Sequence, residues 1–269
     1  MEETAAGVVS PLPNIQPKHF VLVHGASHGA WCWFKLRHLL EVAGHKVTCL
    51  DLAASGIDLA YPSSILSFDD YNKPLFDFMS TLSEDNKVIL VGHSAGGLNL
   101  SHSLLNFGDK IEAAIFIAAT MLPSGFCSEE DVKVGAPDLS EYGDVSIKEY
   151  SLGPDKPPTS VILREEFQRK LLYHLSPVED SVLASMLLRP SPSLALSTAK
   201  FEGNISQVRR IYIKTTHDKM VKPEQQDAMI RRWPPHEVFI IDTEHSPFFS
   251  SPQQLFELIV KASTSASTI

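Results

Sequence analysis

The chain has 269 residues, of which 43% are hydrophobic, and its formal net charge is −9 at pH 7. This length and apolar fraction are typical of a globular protein with one large core. The acidic balance, without a basic patch, argues against nucleic acid as a partner, and no apolar run approaches the ~20 residues that a membrane helix needs.

Residues 1–17 are acidic and then rich in proline, so we predict a flexible N-terminal tail before a single domain over residues 18–269. The tail lacks the basic and apolar regions of a signal peptide. The three cysteines are an odd number without metal-ligand spacing, which favours reduced thiols and no metal site. We therefore expect a cytoplasmic protein.

Short apolar runs alternate with amphipathic stretches along the chain. The predicted strands are residues 19–23, 46–50, 88–91, 113–117, 210–214 and 237–241. The predicted helices are residues 31–43, 68–82, 97–107, 223–232 and 252–262. Continuous apolar strands that alternate with helices predict an α/β protein with a mostly parallel, doubly wound sheet covered on both faces.

Residues 123–206 interrupt this alternation. They contain stretches rich in glycine, proline and acidic residues, no convincing strand, and helical patterns around residues 165–175 and 178–188. So long an insertion is more than a loop. It predicts a mostly helical cap, inserted before the last two strands, over the sheet edge where open α/β sheets bind ligands. A surface decoration is the alternative.

The sequence VILVGHSAGG, residues 88–97, places Ser94 between two glycines, after a predicted buried strand and before a predicted helix. A strand that reverses sharply into a helix leaves no room for Cβ atoms at the flanking positions and exposes the serine hydroxyl. This is the nucleophile elbow, and its context of strand, turn and helix is the one that the motif requires.

A serine nucleophile needs a base and an acid that orients the base. His245 is the best placed of the eleven histidines, because it follows the last predicted strand after a short loop and precedes the final predicted helix. Asp218 also follows a strand, and Asp242 is its rival, only three residues from His245. We favour Asp218, because an acid from the neighbouring strand can approach the imidazole Nδ1.

Two backbone amides are predicted to form an oxyanion hole. Ala95 follows the nucleophile, and Ala26 lies in the loop after the first strand. Together these groups suit acyl transfer, most simply ester hydrolysis.

Several residues are predicted to contact substrate. Gly25 and His93 adjoin the catalytic groups, while Leu139, Tyr142 and Met186 are apolar residues of the cap. The cap residues could equally only pack against the sheet.

The chain resembles the plant methylesterase family of α/β-hydrolases over residues 18–262. Four segments carry this resemblance: HFVLVHGASHGAWCWFKL, VTCLDLAASGID, VILVGHSAGG and EHSPFFSSPQQL. Within this family, the methyl indole-3-acetate esterase branch is the most similar. Four further segments carry that similarity: PDLSEYGD, LGPDKPPTS, KLLYHLSP and KPEQQDAMIRRWPP. The resemblance implies the α/β-hydrolase fold, the triad and hole named above, no cofactor and often a homodimer. It implies a carboxylesterase acting on methyl esters of small apolar plant acids.

Two alternatives stay open. Hydroxynitrile lyases of the rubber-tree type share the triad, but they resemble this chain less: they place a threonine where it has Gly25 and a lysine where it has Ser246. The lysine stabilises departing cyanide by its charge, which a serine cannot do. Some α/β-hydrolases with an intact triad instead act as small-molecule receptors with slow turnover.

Overall fold

A six-stranded parallel sheet forms the centre of the protein in the computed structural model, which describes residues 16–83, 85–205 and 207–264. The strands of this sheet are His19–Val23 (β1), Lys46–Leu50 (β2), Val88–His93 (β3), Ile111–Ile117 (β4), Arg209–Thr215 (β7) and Glu237–Ile241 (β8). They lie in the spatial order β2, β1, β3, β4, β7, β8. All neighbouring pairs are parallel, so all six carboxyl ends lie along one edge.

Helices connect these strands. Their bounds are Phe34–Val42 (α1), Phe68–Thr81 (α2), Gly96–Asn106 (α3), Glu129–Gly135 (α4), Glu165–Leu172 (α5), Val178–Leu187 (α6), Ser193–Ser197 (α7), Pro223–Arg232 (α8), Pro247–Ser250 (α9) and Pro252–Thr264 (α10). Within the described part of the chain, none of them combines the length and the apolar character that a membrane crossing requires.

The sheet is covered on both faces because its central strands β3 and β4 carry continuous apolar runs, over residues 88–91 and 113–117. In β3, Val88 and Leu90 pack into the cluster formed with α2, α3 and α8, while Ile89 and Val91 pack into the opposite cluster with α1 and α10. Successive side chains of a strand point to opposite faces, so a continuous apolar run supplies both cores. The predicted α/β fold with a doubly wound parallel sheet is therefore confirmed.

The chain between β4 and β7 differs from the sequence prediction. It contains helices α4 to α7, but also an antiparallel pair of strands, Ser146–Glu149 (β5) and Ser160–Leu163 (β6). The prediction of no strand in residues 123–206 is wrong at these positions. Each strand has only four residues, and Ile147 is 55% exposed, so neither forms the buried apolar run that identifies a strand in the sequence.

The predicted tail of residues 1–17 lies outside the described residues except for residues 16 and 17. Elsewhere the predicted boundaries differ from the structure by a few residues at most for the sheet strands. The longest differences are two residues: β4 begins at 111 rather than 113, and β3 continues two residues beyond 91, because Gly92 and His93 still pair with β4. This extension brings the sheet right up to Ser94.

Candidate active site

Ser94 occupies a sharp turn between β3 and α3, with a φ of +53°. Such left-handed backbone is rare for residues other than glycine and marks local strain. The turn depends on close contacts of the first helical turn. A Cβ atom at Gly96 would lie 2.7 Å from the carbonyl oxygen of His24, and one at Gly97 would lie 2.3 Å from that of Thr120. Neither backbone oxygen can swing aside, so only glycine fits.

His245 and Asp218 form a buried pair at the ends of β8 and β7. The imidazole Nδ1 lies 2.8 Å from Asp218 Oδ2, so it donates its proton to the carboxylate. The carboxylate also accepts hydrogen bonds from the amides of Met220 (2.8 Å) and Val221 (2.9 Å) and from the hydroxyl of Thr215 (3.0 Å). These donors fix the carboxylate, which fixes the tautomer that leaves Nε2 as the free base.

Asp242, the rival acid, does not contact the imidazole of His245. Its side chain is 80% exposed, accepts a hydrogen bond from the hydroxyl of Thr216 and lies 2.9 Å from Nε2 of His217. The Thr216 hydrogen bond, followed by the charge of His217, lowers the pKa of the Asp242 carboxyl. The structure therefore brings Asp218, and not Asp242, to His245.

A cavity of about 330 Å³ opens where these elements meet, and Ser94, His245, Ala26 and Ala95 all line it. Neither the Ala26 nor the Ala95 amide donates a hydrogen bond to any acceptor among the described residues. Ala95 also precedes α3, whose N-terminal dipole favours negative charge nearby. No hydrogen bond joins the side chains of Ser94 and His245. Such bonds often tighten only when a ligand binds.

The rest of the cavity wall is largely apolar. The apolar lining residues with large side chains are Leu98, Phe126, Leu139, Val161, Ile162, Leu163, Leu172, Leu188, Leu196, Met220 and Val221. Among the described residues, His28 and His245 are the only ionisable side chains that line it. A cavity of this size and character suits a small, neutral, apolar ligand.

Comparison with known proteins agrees with this geometry. Residues 20–258 match the alpha/beta hydrolase family. Methylesterase 17 of Arabidopsis thaliana is 52% identical, over all of this chain and 99% of its own length. The crystal structure of methylesterase MES16 from Arabidopsis is 42% identical, covers 91% of this chain and 98% of its own, and superimposes with a TM-score of 0.82.

A third similar protein is polyneuridine aldehyde esterase, whose crystal structure is 35% identical, covers 92% of this chain and all of its own, and gives a TM-score of 0.83. The chain belongs to the plant methylesterase family of α/β-hydrolases. It is a carboxylic ester hydrolase.

Of the predicted substrate contacts in the cap, only Leu139 lines the cavity of the methylesterase. Met186 is 76% exposed on the outer face of α6, and the ring of Tyr142 packs under the Lys170 ammonium, 4.9 Å from the ring centroid. The prediction of Met186 and Tyr142 as cavity residues is therefore wrong. Apolar character alone does not tell which way a side chain points.

Gly25 and His93 contact the predicted catalytic residues of the methylesterase without lining its cavity. A Cβ atom at Gly25 would lie 2.7 Å from Ser94 Cβ, so the loop after β1 can approach the serine only as glycine. The buried ring of His93 donates from Nε2 to the carbonyl oxygen of His245, at 2.7 Å. Gly25 thus packs against Ser94, and His93 holds the backbone of His245.

His28 lines the cavity, and the sequence reasoning did not identify it. Its Nδ1 lies 2.9 Å from the carbonyl oxygen of Ala26, and its Nε2 lies 2.7 Å from the Tyr173 hydroxyl, which donates to it. Burial lowers the pKa of His28 to about 3, so the ring is neutral. The repeated His-Gly pair in HGASHGAW was the available signal.

Glu244, the neighbour of His245, was also missed. Its side chain is buried, Oε1 accepts a 2.5 Å hydrogen bond from the Ser176 hydroxyl, and Oε2 has no partner. Burial raises the pKa of this carboxyl above its ordinary value.

No group of three or more His, Cys, Asp or Glu side chains in the described ranges could hold a metal ion.

The Asp218 geometry predicts a large difference between two conservative substitutions. Asp218→Asn should lower kcat by about a thousandfold or more, because an amide can no longer hold the imidazole in the tautomer that leaves Nε2 free. Asp242→Asn should change kcat by about twofold at most, since its carboxylate is exposed and makes no hydrogen bond to the imidazole. Steady-state kinetics on one ester measure both. The opposite ranking would show that Asp242, and not Asp218, is the acid that orients the imidazole.

Glu244 predicts a pH-dependent stability. Since its folded-state pKa is raised, the folded protein loses stability as the pH rises through that pKa. Glu244→Gln keeps an acceptor for Ser176 and removes the ionisation, so the variant should gain stability relative to wild type between about pH 5 and about pH 8. Urea titrations at both values measure the free energy of unfolding. Glu257→Gln, at an exposed position, is the matched control, and an equal gain there would refute the account.

Proposed function

We propose that this methylesterase hydrolyses methyl esters of small apolar plant acids through an acyl-enzyme on Ser94. One observation carries the proposal: Asp218 holds the imidazole of His245 by a 2.8 Å hydrogen bond, and His245 lines an apolar cavity that the strained Ser94 also lines. A base fixed in this way, in the same cavity as a serine, suits acyl transfer.

In the proposed reaction, His245 Nε2 takes the proton of the Ser94 hydroxyl as its oxygen attacks the ester carbonyl carbon. The amides of Ala26 and Ala95 donate to the oxyanion that forms, and Asp218 stabilises the imidazolium. The imidazolium then gives its proton to the departing methoxide, which leaves as methanol. Water repeats the sequence on the acyl-enzyme and releases the carboxylic acid.

The cavity wall supports a neutral substrate. Among the described residues, no lysine or arginine lines the cavity, so the wall offers no fixed positive side chain to pair with the carboxylate of a product. Burying an unpaired charge is costly, so an apolar wall favours ester over acid and eases product release. Within this class we propose methyl indole-3-acetate as the substrate, since the branch resemblance fits the 52% identity to Methylesterase 17.

Two hydroxyl groups in the cavity wall support the choice of an indole ester as the substrate. Ser193 donates to the carbonyl oxygen of Pro158 (2.7 Å), and Ser197 donates to that of Leu194 (3.1 Å). A hydroxyl that gives its only proton to the backbone offers a ligand lone pairs alone. Such a wall favours an acid with an N–H donor on its ring.

Three further properties belong to the proposal. We propose that the chain of residues 123–206 acts as the cap, because several of its residues line the cavity, Leu139 and Leu163 among them. A cytoplasmic location is supported by the free cysteines. A homodimer is supported by the family resemblance alone.

The lyase alternative receives no support from a side chain in this site. A threonine in place of Gly25 would bring its Cβ within 2.7 Å of Ser94 Cβ, and position 246 carries a buried, neutral serine. Neither residue can stabilise cyanide as a lysine does.

A panel of esters tests the substrate. We expect kcat/KM to be higher for methyl indole-3-acetate than for methyl salicylate or methyl jasmonate. Methyl benzofuran-3-acetate, which has a ring oxygen in place of the N–H, should be about 2- to 10-fold poorer than the indole ester, because one hydrogen bond is lost. Multiple turnovers in the same assay separate an enzyme from a receptor.

Each outcome of the panel decides a different point. If the indole ester is the poorest of the three, the branch assignment is wrong. If indole and benzofuran are equal, the wall hydroxyls do not select the ring. Cleavage of mandelonitrile, with every ester left intact, would establish the lyase instead.

A further inference from the structure

We infer that His24 is a positioning residue for the oxyanion hole: it fixes the peptide unit whose N–H is the Ala26 donor. The inference rests on the proposed function, since it assumes that this amide receives the oxyanion. His24 itself does not line the cavity. It lies fully buried at the end of β1, behind the loop that carries Ala26.

The hydrogen bonds of His24 determine where its proton lies. The backbone amide of Leu52 points at Nε2 at 3.1 Å and can only donate. Nε2 is therefore an acceptor, and the proton resides on Nδ1, which lies 2.8 Å from the carbonyl oxygen of Gly25. Burial lowers the pKa of His24, which keeps the ring neutral and preserves this arrangement.

The Gly25 carbonyl and the Ala26 amide belong to the same peptide unit. No peptide bond among the described residues is cis, so the C=O and the N–H of this unit point in opposite directions. The His24 ring therefore pulls the carbonyl toward the core and aims the amide outward, toward the cavity that Ala26 lines. The amide of His28 also donates to the Gly25 oxygen, at 3.3 Å.

A donor on the carbonyl also strengthens the amide. Hydrogen bonds in a chain polarise one another, so a proton received by the Gly25 oxygen makes the Ala26 N–H a better donor. On the other side of Ala26, His28 Nδ1 donates to the Ala26 carbonyl. Two neutral histidines thus hold the two peptide units on either side of Ala26, where Ser27 has a strained φ of +64°.

Two substitutions separate positioning from core packing. His24→Asn places an amide N–H near the position of Nδ1, so it keeps the donor to Gly25 and leaves the Leu52 amide unpaired. His24→Gln reaches toward the position of Nε2, so it keeps the acceptor for Leu52 and loses the donor to Gly25. His45→Gln is the control, because His45 is a buried histidine that accepts from the Lys18 amide, far from the cavity.

Active sites are counted by titration with a fluorophosphonate, so that unfolded protein does not enter the rates. Per titrated site, we expect His24→Gln to lower kcat by about 10- to 100-fold, part of the effect of losing one oxyanion donor, with KM nearly unchanged. His24→Asn should retain more of kcat than His24→Gln. His45→Gln should retain all of it.

A pair of inhibitors separates loss of the oxyanion hole from a packing defect, because a packing defect would not change their relative affinities. A trifluoromethyl ketone bearing the indole ring forms a hemiketal oxyanion with the serine, whereas the matching methyl ketone binds as a ground-state ligand. His24→Gln should weaken the trifluoromethyl ketone in parallel with kcat and leave the methyl ketone unaffected. Unchanged kcat per site, or equal weakening of both ketones, would overturn the inference.

If neither variant folds, the wild-type protein decides the point. In ¹⁵N NMR of the histidine rings, His24 should show a protonated Nδ1 and a bare Nε2 from about pH 5 to about pH 8, and the Nδ1 proton should shift when the trifluoromethyl ketone binds. The opposite tautomer or a charged ring refutes the inference. Full turnover by Ser94→Ala would instead refute the proposed function, whatever the His24 variants do.

Discussion

The close approach of α3 to β1 is the constraint on which the site depends. Gly96 brings the start of the helix against the backbone of His24, and Gly25 brings the loop after β1 against Ser94. Neither glycine position has room for a Cβ atom. The two contacts place the loop, with its Ala26 amide, next to the serine. The left-handed backbone of Ser94 is tolerated because the sheet and the helix hold both of its ends.

Burial then determines the electrostatics of the site. The rings of His24, His28 and His93 are all buried, and burial lowers the pKa of each, so this group of histidines contributes hydrogen bonds without charge. In contrast, Asp218 is buried with three donors close to its oxygens. A buried charge needs such partners, whereas a neutral imidazole needs only one donor and one acceptor in place. Positive charge that forms on His245 during a reaction would therefore find one fixed counterion.

Much of the fold was predictable from the sequence, because a parallel sheet buried on both faces requires uninterrupted apolar strands. The same edge rule placed Ser94, Asp218 and His245 at the ends of β3, β7 and β8, and the structure brings these side chains to one cavity or to each other. The rule works because parallel strands all end at the same edge.

The structure of the insertion between β4 and β7 was less predictable, because no rule like that of the sheet edge says where its side chains lie. In α6, the apolar residues Val178, Val182 and Met186 recur at helical spacing, which usually marks a buried face. They are 59%, 53% and 76% exposed. Spacing shows that residues share a face, but not whether that face meets the protein or the solvent. His28 was missed for a related reason, since eleven histidines give no sign of which one turns into a cavity.

The most direct test of the account is to locate the acyl group during turnover. p-Nitrophenolate is a better leaving group than methoxide, so we expect the p-nitrophenyl ester of indole-3-acetic acid to acylate the serine faster than water releases the acid, and the acyl-enzyme to accumulate. We expect a burst of p-nitrophenolate, an indole-acetyl group on the Ser94 peptide after acid quench and mass spectrometry, and no burst from Ser94→Ala. An acyl group on another side chain, or a burst that survives Ser94→Ala, would contradict the account.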